Sequence, residues 1–491
     1  MTWARIVALF TATILLVALM PAAEFLYAAD ATSVVTEGST ALADGVAQPE
    51  KGAAAHAGHG AIEGISLVWI APFVILLLSI AVMPLVAEHW WEHNSSKAMI
   101  AVPLGLLVAG YIAAYHGGAG LYKIWHAVEE YIQFITLLGS LYVISGGIVF
   151  RGTIMPTPKV NTTILAIGAG IASFVGTTGA SMLLIRPLLR ANLMRKKIVH
   201  TVVFFIFLVS NIGGCLTPLG DPPLFLGFLR GVPFEWTFSL WKEWLLMNVV
   251  LLIIYFIWDT KKYSQDTVEP VPADQVKPVE IAGKINFIFL LGVILCVAFL
   301  KPDLLRSIGL HPFCRELAMI AMVLLSMKFT PKGLREENEF NYHPITEVAV
   351  LFIGIFLTMI PALNALQQYG PDLGVNKAWQ FFLYTGLLSS FLDNAPTYVV
   401  FFELAGTMQW DLAIYGEIIV AGVPNLILTA ISLGAVFMGA NTYIGNGPNF
   451  MVKAIAEQAG VKMPSFFGYM AYSFGILMPL FIIVKFIWFQ N

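Results

Sequence analysis

The chain's strongest constraint is a series of continuous apolar stretches, most of them near 20 residues long, spread from Ile65 to Trp488. As a helix, such a stretch spans the hydrocarbon core of a bilayer, whereas barrel strands would alternate in polarity over about 10 residues. Composition agrees, since 58% of the 491 residues are hydrophobic and only 12% are charged, against about 25% charged in soluble domains. An ordinary soluble enzyme is excluded. A net charge of -3 without a long basic run also excludes a nucleic-acid-binding chain. An all-α polytopic membrane protein is expected, with Cys215, Cys296 and Cys314 as packing residues in or beside apolar segments.

Residues 1–31 follow the plan of a secretory signal: Arg5, an apolar run from Ile6 to Met20, then Pro21, Glu24 and a small-residue stretch. An Ala/Gly/Thr-rich tether is expected over 32–61, where His56 and His59 read as solvated. Spans are expected near 65–87, 98–116, 131–150, 198–228, 240–258, 285–300, 314–328, 345–366, 417–452 and 466–488. Two further stretches, 161–190 and 378–405, are broken midway by Thr177-Thr178-Gly179 and Asp393-Asn394-Ala395-Pro396. Freed backbone groups have no partners in lipid, so these read as re-entrant hairpins of two half-length helices. With the mature N-terminus outside, the predicted inner loops hold 17 Lys and Arg and the outer ones 9, in accord with the positive-inside rule.

The span after the first hairpin carries Thr217-Pro218-Leu219-Gly220-Asp221-Pro222-Pro223, and the span after the second carries Thr442-Tyr443-Ile444-Gly445-Asn446-Gly447-Pro448. Together they read Thr-x-Leu/Ile-Gly-Asp/Asn-x-Pro twice. Two repeats are expected, 62–260 and 284–491, joined by an inner linker at 261–283. Each would hold five spans, one hairpin and one broken helix, and five crossings invert the second repeat. Inverted repeats with broken helices in matching places mark secondary transporters. No extramembrane stretch is long enough for a catalytic domain, so no enzyme activity is expected.

Asp221 and Asp393 lie in the broken elements, where an ionised carboxylate costs at least a few kcal/mol unless hydrated, protonated or paired. One such site can bind H+ or Na+ and exchange them. Hydroxyl and amide oxygens of Thr177, Thr178, Ser181, Asn211, Thr217, Asn394, Thr397, Asn441, Thr442 and Asn446 suit a hard cation, though half or more are expected only to cap the broken helices. Secondary candidates are Glu347, Glu403, His200 and Arg186; the last could pair an anion but is expected to serve topology. His89-Trp90-Trp91-Glu92-His93 matches an H-x-x-E-H zinc pattern. It lies between spans beside a Trp pair typical of an interfacial belt, so no metal site or resident cofactor is expected.

The strings SNIGGCLTPLGDPP (210–223) and SFLDNAPT (390–397) resemble the ion transporter superfamily, which includes NhaD-type sodium/proton antiporters, arsenite permeases and citrate or dicarboxylate transporters. The resemblance covers residues 65–488. It implies a bacterial inner-membrane transporter, often dimeric, in which a transport domain carrying both hairpins moves against a scaffold. Carboxylate-transporting members have Ser-Asn-Thr at each tip. The first tip here, Thr177-Thr178-Gly179-Ala180-Ser181, lacks the amide, and the second, Asp393-Asn394-Ala395-Pro396-Thr397, adds an acid. An added acid repels a multiply charged anion, so exchange of H+ for Na+ or Li+ is the leading expectation. The alternative is Na+- or H+-coupled symport of citrate or a dicarboxylate.

Overall fold

The computed structural model describes residues 62, 64–152, 154–266 and 278–490. The expected signal, the tether and most of the inner linker lie outside the described residues. Helix α1 (Ala71–Val86) leads to α2 (Asn94–Ser145), which bends where Gly117 adopts φ 51°. The second and third expected spans are therefore one assigned helix with a break at Gly117, and no loop spans 117–130. Strand β1 (Val149–Arg151) pairs antiparallel with β2 (Glu280–Ala282), in the register Val149↔Ala282, and ties the end of α2 to the linker.

The first expected hairpin is α3 (Pro158–Val175) and α4 (Thr177–Ala191), separated by Gly176 alone. Half-length arms were expected, yet α3 has 18 residues and is long enough to cross a bilayer. The broken span is α5 (Val199–Leu208), a 3-10 turn at Ile212–Leu216 and α6 (Pro222–Leu229), followed by α7 (Trp241–Tyr263). Pro222 and Pro223 start α6 where a missing N–H costs nothing.

Next come α8 (Ile285–Phe299), α9 (Cys314–Phe329) and α10 (His343–Tyr369). The second hairpin is α11 (Ala378–Phe391) and α12 (Asn394–Gly406). The ninth expected span begins late: residues before Asn425 form β3 (Ile419–Val420) and β4 (Val423–Pro424), and the helix proper is α13 (Asn425–Met438). A 3-10 turn at Gly439–Asn441 joins it to α14 (Gly447–Gln458), and α15 (Phe466–Trp488) ends the fold.

The described residues hold seven helical stretches long and apolar enough to cross a membrane, and the protein is a multi-pass membrane protein. Helices α1, α2, α8, α9 and α10 pack together. The hairpins, the broken spans, α7 and α15 pack as a second group, which meets the first chiefly through α10 with α12 and α2 with α4. The halves are interleaved within that second group: α12 lies on α6, and α4 lies on α14. Each hairpin therefore rests on the broken span of the other half.

Candidate functional site

The two tips are built by the same bonds. Ser173, near the end of α3, accepts at its carbonyl from the Thr217 hydroxyl, which also accepts from Leu219 N at 3.1 Å. Ser390, near the end of α11, accepts at its carbonyl from the Thr442 hydroxyl (2.5 Å), which also accepts from Ile444 N (3.2 Å) and Gly445 N (3.1 Å). Asp221 and Asn446 each follow their threonine by four residues, and Thr177 and Asn394 each follow their serine by four. They occupy matching places in the two halves.

These four matched residues converge. Asp221 Oδ1 accepts from Thr177 Oγ1 at 2.9 Å and from Asn446 Nδ2 at 3.0 Å, and its Oδ2 accepts from Asn394 Nδ2 at 2.6 Å. One carboxylate thus ties both tips and both broken spans. Asn446 Nδ2 also reaches Ser210 O and Asn211 Oδ1, and Asn211 donates to Asn449 Oδ1 at 2.7 Å. Asp393 has no matching acid in the first half, where Gly176 takes its place at φ +80°. Its side chain caps α12 by accepting from Ala395 N at 3.0 Å, and it lies within electrostatic reach of Asp221.

Acceptor oxygens are left over. Asn394 Oδ1 and Asn441 Oδ1 are buried without a hydrogen-bond partner. Spare amide oxygens and carboxylates are donors of the kind that suits a hard cation. No Lys, Arg or His shares in these tip bonds among the described residues.

The breaks also fix the backbone. A Cβ on Gly220 would stand 2.1 Å from Gly214 O, and one on Gly445 would stand 2.6 Å from Gly439 O. Only glycine lets each turn close on itself this tightly. Carbonyls freed by the first break are bonded by Trp244 and Thr237 from the α7 side, and those freed by the second by Tyr469 and Ser473 from α15.

Of the other expected site residues, Ser181 bonds Ser210 Oγ at 2.8 Å, linking the first hairpin to its broken span. Thr178 is half-buried at the tip. Thr397 bonds Asp393 O within its own helix. The secondary candidates stand apart from the tips. Glu347 pairs with Lys97 at 2.8 Å, and His200 contacts Asp259 at 2.8 Å beside Arg195. Arg186 pairs with Glu339, a non-glycine residue at φ 49°, across the two helix groups. Glu403 lies 3.6 Å from Arg230, which crosses to Glu130 at 2.8 Å. His93 Nδ1 contacts His89 O along a short surface helix. Ser173, Ser390 and Asn449 were missed by sequence reasoning; the shared four-residue offset was the available signal.

A family model described as "Putative citrate transport" matches residues 62–489. An uncharacterized transporter of Mycobacterium bovis is 25% identical over 319 residues, 61% of this chain and 70% of the relative. One of Mycobacterium tuberculosis matches to the same extent.

Proposed function

The chain belongs to this citrate-transport family, within the ion transporter superfamily, and on that premise we propose that it exchanges H+ for Na+ or Li+ by alternating access. The observation that carries the reading is Asp221, a carboxylate held by three donors from both halves with no cationic side chain bonded to it. A buried acid without a counter-charge takes up a proton or a mobile cation. Asp393 supplies the second charge, and the spare oxygens of Asn394 and Asn441 complete a coordination shell.

In this reading the halves are inverted repeats, the matched bonds at their tips being the internal symmetry. The group carrying both hairpins moves against α1, α2, α8, α9 and α10. The excess of Lys and Arg in alternate loops puts the start of α7 outside.

The family description favours a second reading, cation-coupled symport of citrate. That trianion would need positive charge at the tips, which Arg186, paired with Glu339, does not supply here. Everted vesicles offered Na+, Li+, K+ and citrate in parallel separate the two. Exchange predicts that Na+ collapses an imposed pH gradient, in wild type but not in Asp221→Asn or Asp393→Asn. Uptake of labelled citrate driven by a cation gradient, without exchange, would overturn it.

A further inference from the structure

Five acids are buried among the described residues: Glu130, Asp221, Glu243, Asp259 and Glu316. Three are ion-paired, Glu130 with Arg230 (2.8 Å), Asp259 with Arg195 (2.6 Å) and Glu316 with Arg315 (2.7 Å). Asp221 and Glu243 have no such partner. Glu243 is 5% exposed, and its Oε2 has no hydrogen-bond partner. Burying an unpaired carboxylate is costly, so such a group is kept neutral by a proton or met by a mobile cation.

Its surroundings point inward to the site. Glu243 lies in the first turn of α7. The next residue, Trp244, holds Gly213 O of the broken span at 3.3 Å. Cys215, wholly buried in that same turn, lies within electrostatic reach of both Glu243 and Asp221. The neighbouring charge on the same helix, Lys242, is exposed, lies over the Trp241 ring, 5.9 Å from its centroid, and stands within electrostatic reach of Glu243 without forming an ion pair with it. Glu243 therefore flanks the broken span on the side where α7 begins, and Cys215 of that span stands near both Glu243 and Asp221. Because α7 packs on the broken span and on α3, this spacing holds while the hairpin group moves.

We propose that Glu243 is a third carboxylate on the ion path, relaying protons between the aqueous face at the start of α7 and Asp221. The step is a proton transfer. The neutral Glu243 acid gives its proton to the Asp221 carboxylate as Na+ leaves, and Glu243 is reprotonated from the aqueous side. No electrons move. The role rests on the exchange reading above.

The test compares wild type, Glu243→Gln, Glu243→Asp and Lys242→Gln in right-side-out vesicles, reading Na+-driven proton flux against external pH. Glu243→Gln should lower the maximal rate at least tenfold and flatten its dependence on external pH, with half-saturating Na+ within twofold of wild type. Glu243→Asp should recover most of the rate, and Lys242→Gln should lower it far less than Glu243→Gln does. A structural role at the helix end alone would lower thermal stability in Glu243→Gln and leave the pH profile unchanged, which would overturn the relay. Absence of Na+-linked flux in wild type would instead refute the exchange reading and the relay with it.

Discussion

Replacing Asp221 with Asn separates the part this residue plays in folding from the part it plays in exchange. In the native site its Oδ2 accepts from Asn394 Nδ2, while Asn394 Oδ1 is unused. If the new amide nitrogen takes the Oδ2 place, a 180° flip of Asn394 turns its free oxygen toward that nitrogen. The other oxygen still accepts from Thr177 and Asn446, so all three bonds survive. Each changes from charge-assisted to neutral, a loss of about 1 kcal/mol apiece, offset in part because no charge is buried. The net cost to folding should be no more than about 3 kcal/mol. Cation binding loses more, since a unit charge about 4 Å from Na+ at an effective dielectric near 20 contributes about 4 kcal/mol. At about 1.4 kcal/mol per decade, affinity should fall roughly a thousandfold. Thermal unfolding of purified protein should report the small loss, and vesicle exchange the large one. A folded Asp221→Asn protein that exchanges Na+ within a few-fold of wild type would refute the reasoning.

The remaining predictions use the same preparations. Asp393→Asn should abolish proton-coupled exchange with stability changed by less than about 0.5 kcal/mol, because Asn caps a helix as well as Asp; loss of the folded protein would contradict it. The exchange of charge between matched positions, Asp221→Asn with Asn446→Asp, should restore part of the flux lost in Asp221→Asn alone, as measured by gradient dequenching. At the exposed pair outside the spans, the Arg151 guanidinium hydrogen-bonded to Glu337 holds that carboxyl below its ordinary value. Its stabilisation is present above the unfolded carboxyl's pKa, near 4.3, and is lost as pH falls through the lower folded value. The stability difference between wild type and Glu337→Gln should therefore fade in acid titrations and be constant near neutrality.

Where Gly, Pro and Asn interrupt an apolar run, the sequence was explicit. The second hairpin breaks at Asp393 and α15 spans 466–488 as read, whereas the first breaks at Gly176, one residue before the expected Thr177-Thr178-Gly179, which is helical. The bend at Gly117 was not legible, because the run His116-Gly117-Gly118-Ala119-Gly120, followed by Lys123, reads as a loop as readily as a kink. The late start of α13 was hidden for a related reason: residues 417–424 are apolar enough to pass for helix but form a tight hairpin. Within the site, the acids were visible by their rarity. Their bonding was not, since Asn394 and Asn446 reach Asp221 across 173 and 225 residues. Ser173 and Ser390 carried no signal of their own, because a buried serine in a helix commonly bonds its own backbone.

The self-closing turns at Gly214–Gly220 and Gly439–Gly445 bear on when the order of the site is established. With no room for a Cβ and several carbonyls on each turn held by neighbouring side chains, these turns have little slack to tighten around an ion. Their conformational entropy is lost once, during folding, and not again in each turnover. Loading and unloading then leave the cradle almost unchanged, and what alternates is the wall of protein that stands between it and the water on either side.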